Sequence, residues 1–355
     1  MTARTWLPLL ATASLLTASC GGIAASSPAD GADAGASDSA VPLDGSSLFD
    51  AGTIDAGTSD AAPTPSGVVL FAGDGPQFLK DTWEWSGGAW SEKVVSGPPT
   101  RYEHRLAALG KKVILFGGEV GADRLGDTWE WDGAAWTEKK IMGPPARSRH
   151  AMATMGTGAA SKIVVYGGLG LTTSELDDTW EYDGTAWTEK KIPGPHAFQG
   201  MAMAALADKI VLFDGFPMMP VTWEYDGASW TSKKLPGPSS RLYASMATLS
   251  GKIVLFGGEN DANHYPNDTW EYDGVAWTQK SPAVSPSPRL HQAMTTVTVG
   301  NDNFIVLFGG GNEPAGMSPP WLGDTWTWDG TSWTQRAPVG PEGRYVYTIA
   351  ARGND

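Results

Sequence analysis

The chain has 355 residues, a formal net charge of −14 and a single cysteine. Net acidity argues against nucleic acid or an anionic membrane surface as a partner, because both would repel it. One cysteine rules out a disulfide framework, so stability has to come from packing.

In chain order, residues 1–20 (MTARTWLPLLATASLLTASC) open with a basic Arg4, continue through an apolar stretch from Trp6 to Leu16, and end in small residues before Cys20. This is the pattern of a secretion signal, too short to span a bilayer as a helix of the mature protein. Leu-Thr-Ala-Ser before Cys20 and Gly-Gly after it resemble the lipobox of bacterial lipoproteins. There the thiol is lipidated and the signal is cut just before it. Thr17 stands where that pattern usually has Leu, and Gly21 resembles a sorting signal for the outer membrane of a diderm bacterium.

Residues 21–66 are almost entirely Ala, Gly, Ser, Asp, Thr and Pro, and seven Asp residues (30, 33, 38, 44, 50, 55 and 60) supply half of the net charge. Such a segment buries too little apolar area to offset its ordering entropy and is expected to be a disordered tether. As a random coil it would reach ~35–40 Å.

From residue 67 a tryptophan-rich phrase recurs six times, as in GDTWEWDGAAW, DDTWEYDGTAW and NDTWEYDGVAW. Its first Trp falls at Trp83, Trp129, Trp180, Trp223, Trp270 and Trp326, so successive copies lie 46, 51, 43, 47 and 56 residues apart. A period near 50 marks a repeat architecture. In one copy, RSRHAMATM and KIVVYGG read as buried strands. DDTWEYDG alternates and turns at Asp-Gly, and TAWTEKK reads as a lysine-protected edge strand. Four antiparallel strands per repeat, ordered from buried to exposed, describe a propeller blade.

An Arg at the start of the first strand, Gly-Gly after the second and an aromatic pair across the third and fourth resemble the kelch repeat, known from galactose oxidase and many binding proteins. The resemblance runs over residues 67–352 and implies that the first strand of each blade is innermost. The expected fold of residues 67–355 is therefore an all-β, six-bladed propeller of four-stranded antiparallel blades. GVVLFAGD at 67–74 has no preceding Arg-containing strand, whereas the chain finishes with GRYVYTIAARG. The C-terminal strand is thus expected to complete blade 1. Fifteen tryptophans occupy repeated positions and read as wedges between blades, each burying about 150–250 Å²; outside the signal, only Trp321 falls elsewhere.

Strand polarity places the variable loops after each Gly-Gly on one rim, where binding by rigid repeat scaffolds usually resides. Rim candidates are Trp321, Tyr265, His264, Glu259, Arg124, Met218, Met219, His104 and His150. Five arginines, Arg101, Arg147, Arg241, Arg289 and Arg344, join them, with Ala197 at the sixth place. Asp81, Asp127, Asp178, Asp268 and Asp324 open the third strands, with Val221 at the sixth place. Because both losses fall in blade 4, each Arg is expected to pair with the Asp of its blade in a bidentate bridge, which makes the arginines mainly structural. Blade 4 also has Gly200 where His104 and His150 stand, and Asp214 within its Gly-Gly position.

No histidine or carboxylate spacing points to a metal site, and no cofactor is expected. The resemblance to galactose oxidase cannot extend to its copper and Cys-Tyr cofactor, because the propeller has no cysteine. No nucleophile triad, P-loop or dinucleotide fingerprint appears, so no catalytic residue is assigned and a non-enzyme is expected. The expected function is a monomeric, secreted and lipid-anchored binding module whose loop rim contacts a protein or glycan of the cell envelope, touching the membrane only through its lipid. Two alternatives stand beside it. One is a carbohydrate-active enzyme, resembling a kelch sialic-acid epimerase, that uses rim carboxylates such as Glu119, Asp123, Glu175, Glu259 or Glu313. The other is a non-catalytic envelope scaffold.

Overall fold

A computed structural model describes residues 67–353 apart from 173, 197, 216–219, 261, 263, 313–320, 337–339, 346 and 347. The signal and Cys20, the tether at 21–66, and Met218 and Met219 lie outside the described residues. The described part is all β, with six four-stranded antiparallel sheets and three short two-stranded ladders. Among the described residues no helix is long and apolar enough to cross a membrane.

Each sheet is one sequence repeat folded as an antiparallel meander. In blade 3 the order from axis to edge is Ala151–Met155, Lys162–Tyr166, Thr179–Tyr182 and Trp187–Lys190. The first strand begins after the repeat's arginine rather than at it. Arg147–Ser148 instead pairs with Leu169–Gly170 as a separate ladder above the sheet.

Alternation along each second strand aims its side chains into the clefts on both sides, so these strands are apolar throughout. In blade 3, Ile163, Val164, Val165 and Tyr166 are all fully buried. Between blades 2 and 3, for example, Ala107, Ile114 and Phe116 pack on Met152, Ile163, Val165, Tyr182 and Trp187. The outer Trp of each repeat carries a polar handle into its cleft. Trp136, Trp187, Trp230, Trp277, Trp333 and Trp90 donate their indole N–H to Thr82, Thr128, Thr179, Thr222, Thr269 and Thr325 of the preceding blade, at 2.8–3.0 Å. Burying the indoles therefore leaves these six donors satisfied.

Ring closure follows the expectation from the two chain ends. Ala350–Ala351 pairs with Val69 and Val68, completing the sheet of Val68–Asp74, Phe78–Ser86 and Ala89–Lys93. Val68, Leu70, Trp85 and Trp90 then pack against Ala293, Val297, Val306 and Phe308 of blade 6.

Candidate functional site

The Gly-Gly pairs lie directly beneath the interblade arginines. At Gly117 and Gly118, with φ of 66° and 100°, an added Cβ would lie 2.6 Å from the Arg147 carbonyl oxygen and 2.8 Å from that of Tyr102. This close approach lets Arg101 reach down inside the blade. Its Nη1 and Nη2 donate to Asp127 Oδ1 and Oδ2 at 2.6 and 2.7 Å, Nη1 also to the Gly117 carbonyl at 3.1 Å, and Nε to that of Pro99 at 3.2 Å. Trp129 Nε1 donates to Asp127 Oδ2 at 2.7 Å. Burial pushes the Asp127 carboxyl up, and the hydrogen bonds and charge of Arg101, with the Trp129 indole, more than reverse it.

Bidentate pairs also join Arg147 to Asp178, Arg241 to Asp268, Arg289 to Asp324 and Arg344 to Asp81. In Arg289 all five N–H donors are used, the others going to Ser287 and the Gly309 carbonyl. The five arginines are at most 2% exposed. Placed on the rim by the sequence, they lie inside the blades with their charge already matched. His104 and His150 are likewise interior, packed edge-on against Phe71 and Phe116. Burial, followed by neighbouring arginines, lowers His104 to about 3 and holds His150 well below the usual range.

Blade 4 differs by one residue from the sequence alignment of its repeat. Gly168 donates to the Phe198 carbonyl where Gly118 donates to that of Arg147, so Phe198 takes the arginine place and Met201 the histidine place. With Val221 in place of Asp, the Trp223 indole N–H is buried without an acceptor among the described residues.

A second ring lies one turn nearer the axis. Glu103, Arg149, Gly200, Tyr243 and His291 occupy equivalent places at the mouth of the central channel, with φ of 58°, 58°, 71°, 57° and 56°. Each amide N–H from Arg149 onward donates to the carbonyl of the ring member before it, at 2.8–3.2 Å, so a backbone belt holds residues of five blades together. His291 thus stands one place before the position of His104 and His150, in the mouth itself. Left-handed backbone at non-glycine residues costs free energy and persists only where the surroundings over-determine it, most often at functional sites.

The side chains of this ring differ from blade to blade. On one side Arg149 donates from Nε to the Glu103 carboxylate and from Nη1 to Gln199 Oε1 at 2.8 Å. Ser148 donates to Glu119 Oε2 at 2.7 Å, and Arg124 Nε to Ser148 Oγ at 3.3 Å. On the other side Tyr243 and His291 lie 4.1 Å apart between ring centroids, and His291 meets Tyr345 edge-on at 5.3 Å. Burial, then Arg149 and Arg105, hold His291 well below the usual imidazole range. Beneath the mouth runs a channel of about 330 Å³ walled by the innermost strands, chiefly Ala, Met and Thr.

Among the other rim residues, Arg124 belongs to the Glu119 network, while Glu259 is half-buried in a short ladder opposite Leu242. His264 is exposed and Tyr265 partly so, and Trp321 bridges the backbone of Gly311. Of the carboxylates proposed for sugar chemistry, Asp123 and Glu175 are exposed, and Glu313 lies outside the described residues. Sequence reasoning missed Glu103, Arg149, Tyr243 and Tyr345. The available signal for the first three was the second residue after each rim arginine, which differs from copy to copy; Tyr345, directly after Arg344, falls outside that position. Among the described residues no group of three or more His, Cys, Asp or Glu is placed to hold a metal ion.

Residues 61–215 match the family model for the KLHDC2/KLHL20/DRC7 Kelch-repeats domain, a stretch that reaches from blade 1 to the second strand of blade 4. No curated protein matches the chain. Residues 61–215 are thus similar to a Kelch-repeat domain, the described residues fold as a six-bladed propeller, and Kelch propellers are commonly protein-interaction modules and typically non-enzymatic.

Proposed function

We propose that this protein is a lipid-tethered binding module whose loop-bearing face, centred on the channel mouth, holds a partner protein of the cell envelope. One observation carries this reading: five equivalent, rigidly belted backbone positions present Glu103, Arg149, Gly200, Tyr243 and His291. The packing positions of the same blades hold nearly constant residues. A scaffold alone gives no reason for such variety at a strained ring. The binding reading is preferred to sugar chemistry because Glu103 and Glu119 are buried and already held by Arg149 and Ser148, which ties up both carboxylates.

Photocrosslinking of the full chain tests it. Benzoylphenylalanine replacing Tyr243 should capture a discrete partner in the source cells. The same group replacing the exposed Val275 on the opposite rim should not. Equal capture from both sites, or none from the mouth, would overturn the assignment. The tether is tested separately: Cys20→Ser should abolish palmitate labelling, and persistent labelling would reject the anchor.

A further inference from the structure

On the loop-bearing face, away from the mouth ring, two hairpins bring four side chains together. Asp74 and Phe78 are direct cross-strand partners at the end of the first hairpin of blade 1. Tyr102 and Glu119 are bridge partners in blade 2. Directly opposed residues of an antiparallel pair project from one face, so each hairpin presents one aromatic ring beside one carboxylate. The rings join the two blades: Phe78 and Tyr102 stack with centroids 5.3 Å apart and planes within 8°. Tyr345 is also bridged to Asp74 and adds an aromatic residue on the side towards the axis.

Beyond the stack that joins the two blades, this corner leaves an exposed ring and, among the described residues, an unpaired carboxylate. Phe78 is 56% exposed, and it is the only aromatic residue among the large hydrophobic side chains that stand exposed in the described structure. Asp74 has no ion-pair partner among the described residues, and burial alone raises its carboxyl above the ordinary value. Tyr102 is pushed up to about 12, first by burial and then by Glu119, Glu103 and Asp74. Glu103 is paired with Arg149, and Glu119 is held by Ser148, Arg124 and Arg149, so Asp74 is the carboxylate beside the stack that has no ion-pair partner among the described residues.

Resting on the reading of this face as the binding surface, we infer that the Phe78–Tyr102 stack, with Asp74, is the docking platform for an arginine side chain of the partner protein. A guanidinium is flat, weakly hydrated and permanently charged, so it can lie on the exposed ring face while its edge donates to a carboxylate. The Asp74 carboxylate supplies the matching charge. An alkyl side chain would leave that carboxylate further desolvated and unpaired.

The test is a titration of the full chain, carrying ring-labelled Phe and Tyr, with acetyl-Gly-Arg-Gly-amide followed by NMR. Lysine and glutamine versions of the peptide serve as comparisons. The arginine peptide should saturate and move the Phe78 and Tyr102 ring signals, binding about tenfold more tightly than the glutamine peptide. Phe78→Ala should remove most of that preference, and Asp74→Asn should weaken binding severalfold. The inference is overturned by equal binding of the glutamine peptide, tighter binding of the lysine peptide, shifts confined to other residues, or unchanged affinity in both variants. If crosslinking from Tyr243 succeeds while the arginine peptide fails, this platform is wrong and the binding face stands. If both fail, the face itself is misassigned.

Discussion

Blades 3 and 4 have the same four strands and the same outer charge pattern, with Lys162 and Lys190 on Glu181 in one and Lys209 and Lys233 on Glu224 in the other. They differ inside. Blade 3 is tied by Arg147, Asp178 and Trp180, and blade 4 has Phe198, Val221 and a Trp223 indole with no acceptor among the described residues. The arginine–aspartate pair is thus dispensable to a blade provided both partners go together. The apolar second strand and the Trp–Thr wedge are present in both blades and carry the fold. This follows from desolvation: a buried pair gains little over apolar residues of similar size, whereas half a pair leaves a buried charge uncompensated.

The strongest way to break the comparison is to take a blade's pair and its inner strand at once. Deleting residues 344–355 removes Arg344 from Asp81 and Ala350–Ala351 from Val68–Asp74. It is expected to abolish cooperative thermal unfolding, a loss on the order of the whole stability of a domain, about 5–15 kcal/mol. A truncated protein that melts like the parent would show that the ring closes without this strand. Next, Arg147→Ala strands a largely buried Asp178 and should lower stability by about 3–5 kcal/mol in urea unfolding. A loss below about 1 kcal/mol would mean that blade 3 depends on its pair no more than blade 4 does.

The comparison extends to acid. Blades 2 and 3 bury His104 and His150 where blade 4 has Met201 and blade 6 has Gln292, which donates to the Phe256 carbonyl at 2.7 Å. The folded pKa is about 3 at His104 and well below the usual value at His150 and His291. The unfolded chain therefore binds more protons as pH falls below about 6.5. Stability should be full above that pH and, through His104, fall by about 1.4 kcal/mol per pH unit towards pH 3, with His150 and His291 acting in the same direction. The lowered Asp127, Asp178, Asp268 and Asp324 add a further loss only below the ordinary aspartate range. His150→Gln, which copies blade 6, should make the slope between pH 6 and 4 shallower; an unchanged slope would refute the neutral buried imidazole. The smallest effect is expected from copying blade 4 into blade 3. Arg147→Phe with Asp178→Val should stay within about 2 kcal/mol of the parent, so that a double-mutant cycle reports strong coupling. Additive losses would sink the pairing.

Much of the fold was legible because the residues that pack are the residues that repeat. The six Trp phrases announce the blades, and the joint loss of Arg and Asp in one repeat announces the pair. Legibility ended where spacing slips by one residue: the sequence aligns Ala197 and Gly200 with the arginine and histidine places, and the backbone hydrogen bonds put Phe198 and Met201 there. The site was less legible. Of the rim candidates, the arginines are the paired residues that the joint loss announced, and with His104 and His150 they lie in the interior. Glu103, Arg149 and Tyr243 drew no notice because the stretches that hold them, RYEH, RSRH and RLYA, differ from repeat to repeat.

By itself the sequence determined the number of blades, their strand order and their closure, since apolar period, Asp-Gly turns and Trp spacing are local properties that every copy restates. Only the tertiary structure decided which residues meet at the channel mouth. Closing the ring brings positions of equal phase, some 40–50 residues apart, onto one axis, and at two neighbouring blades it sets Phe78 on Tyr102. Those meetings depend on backbone register between blades, which no single repeat encodes.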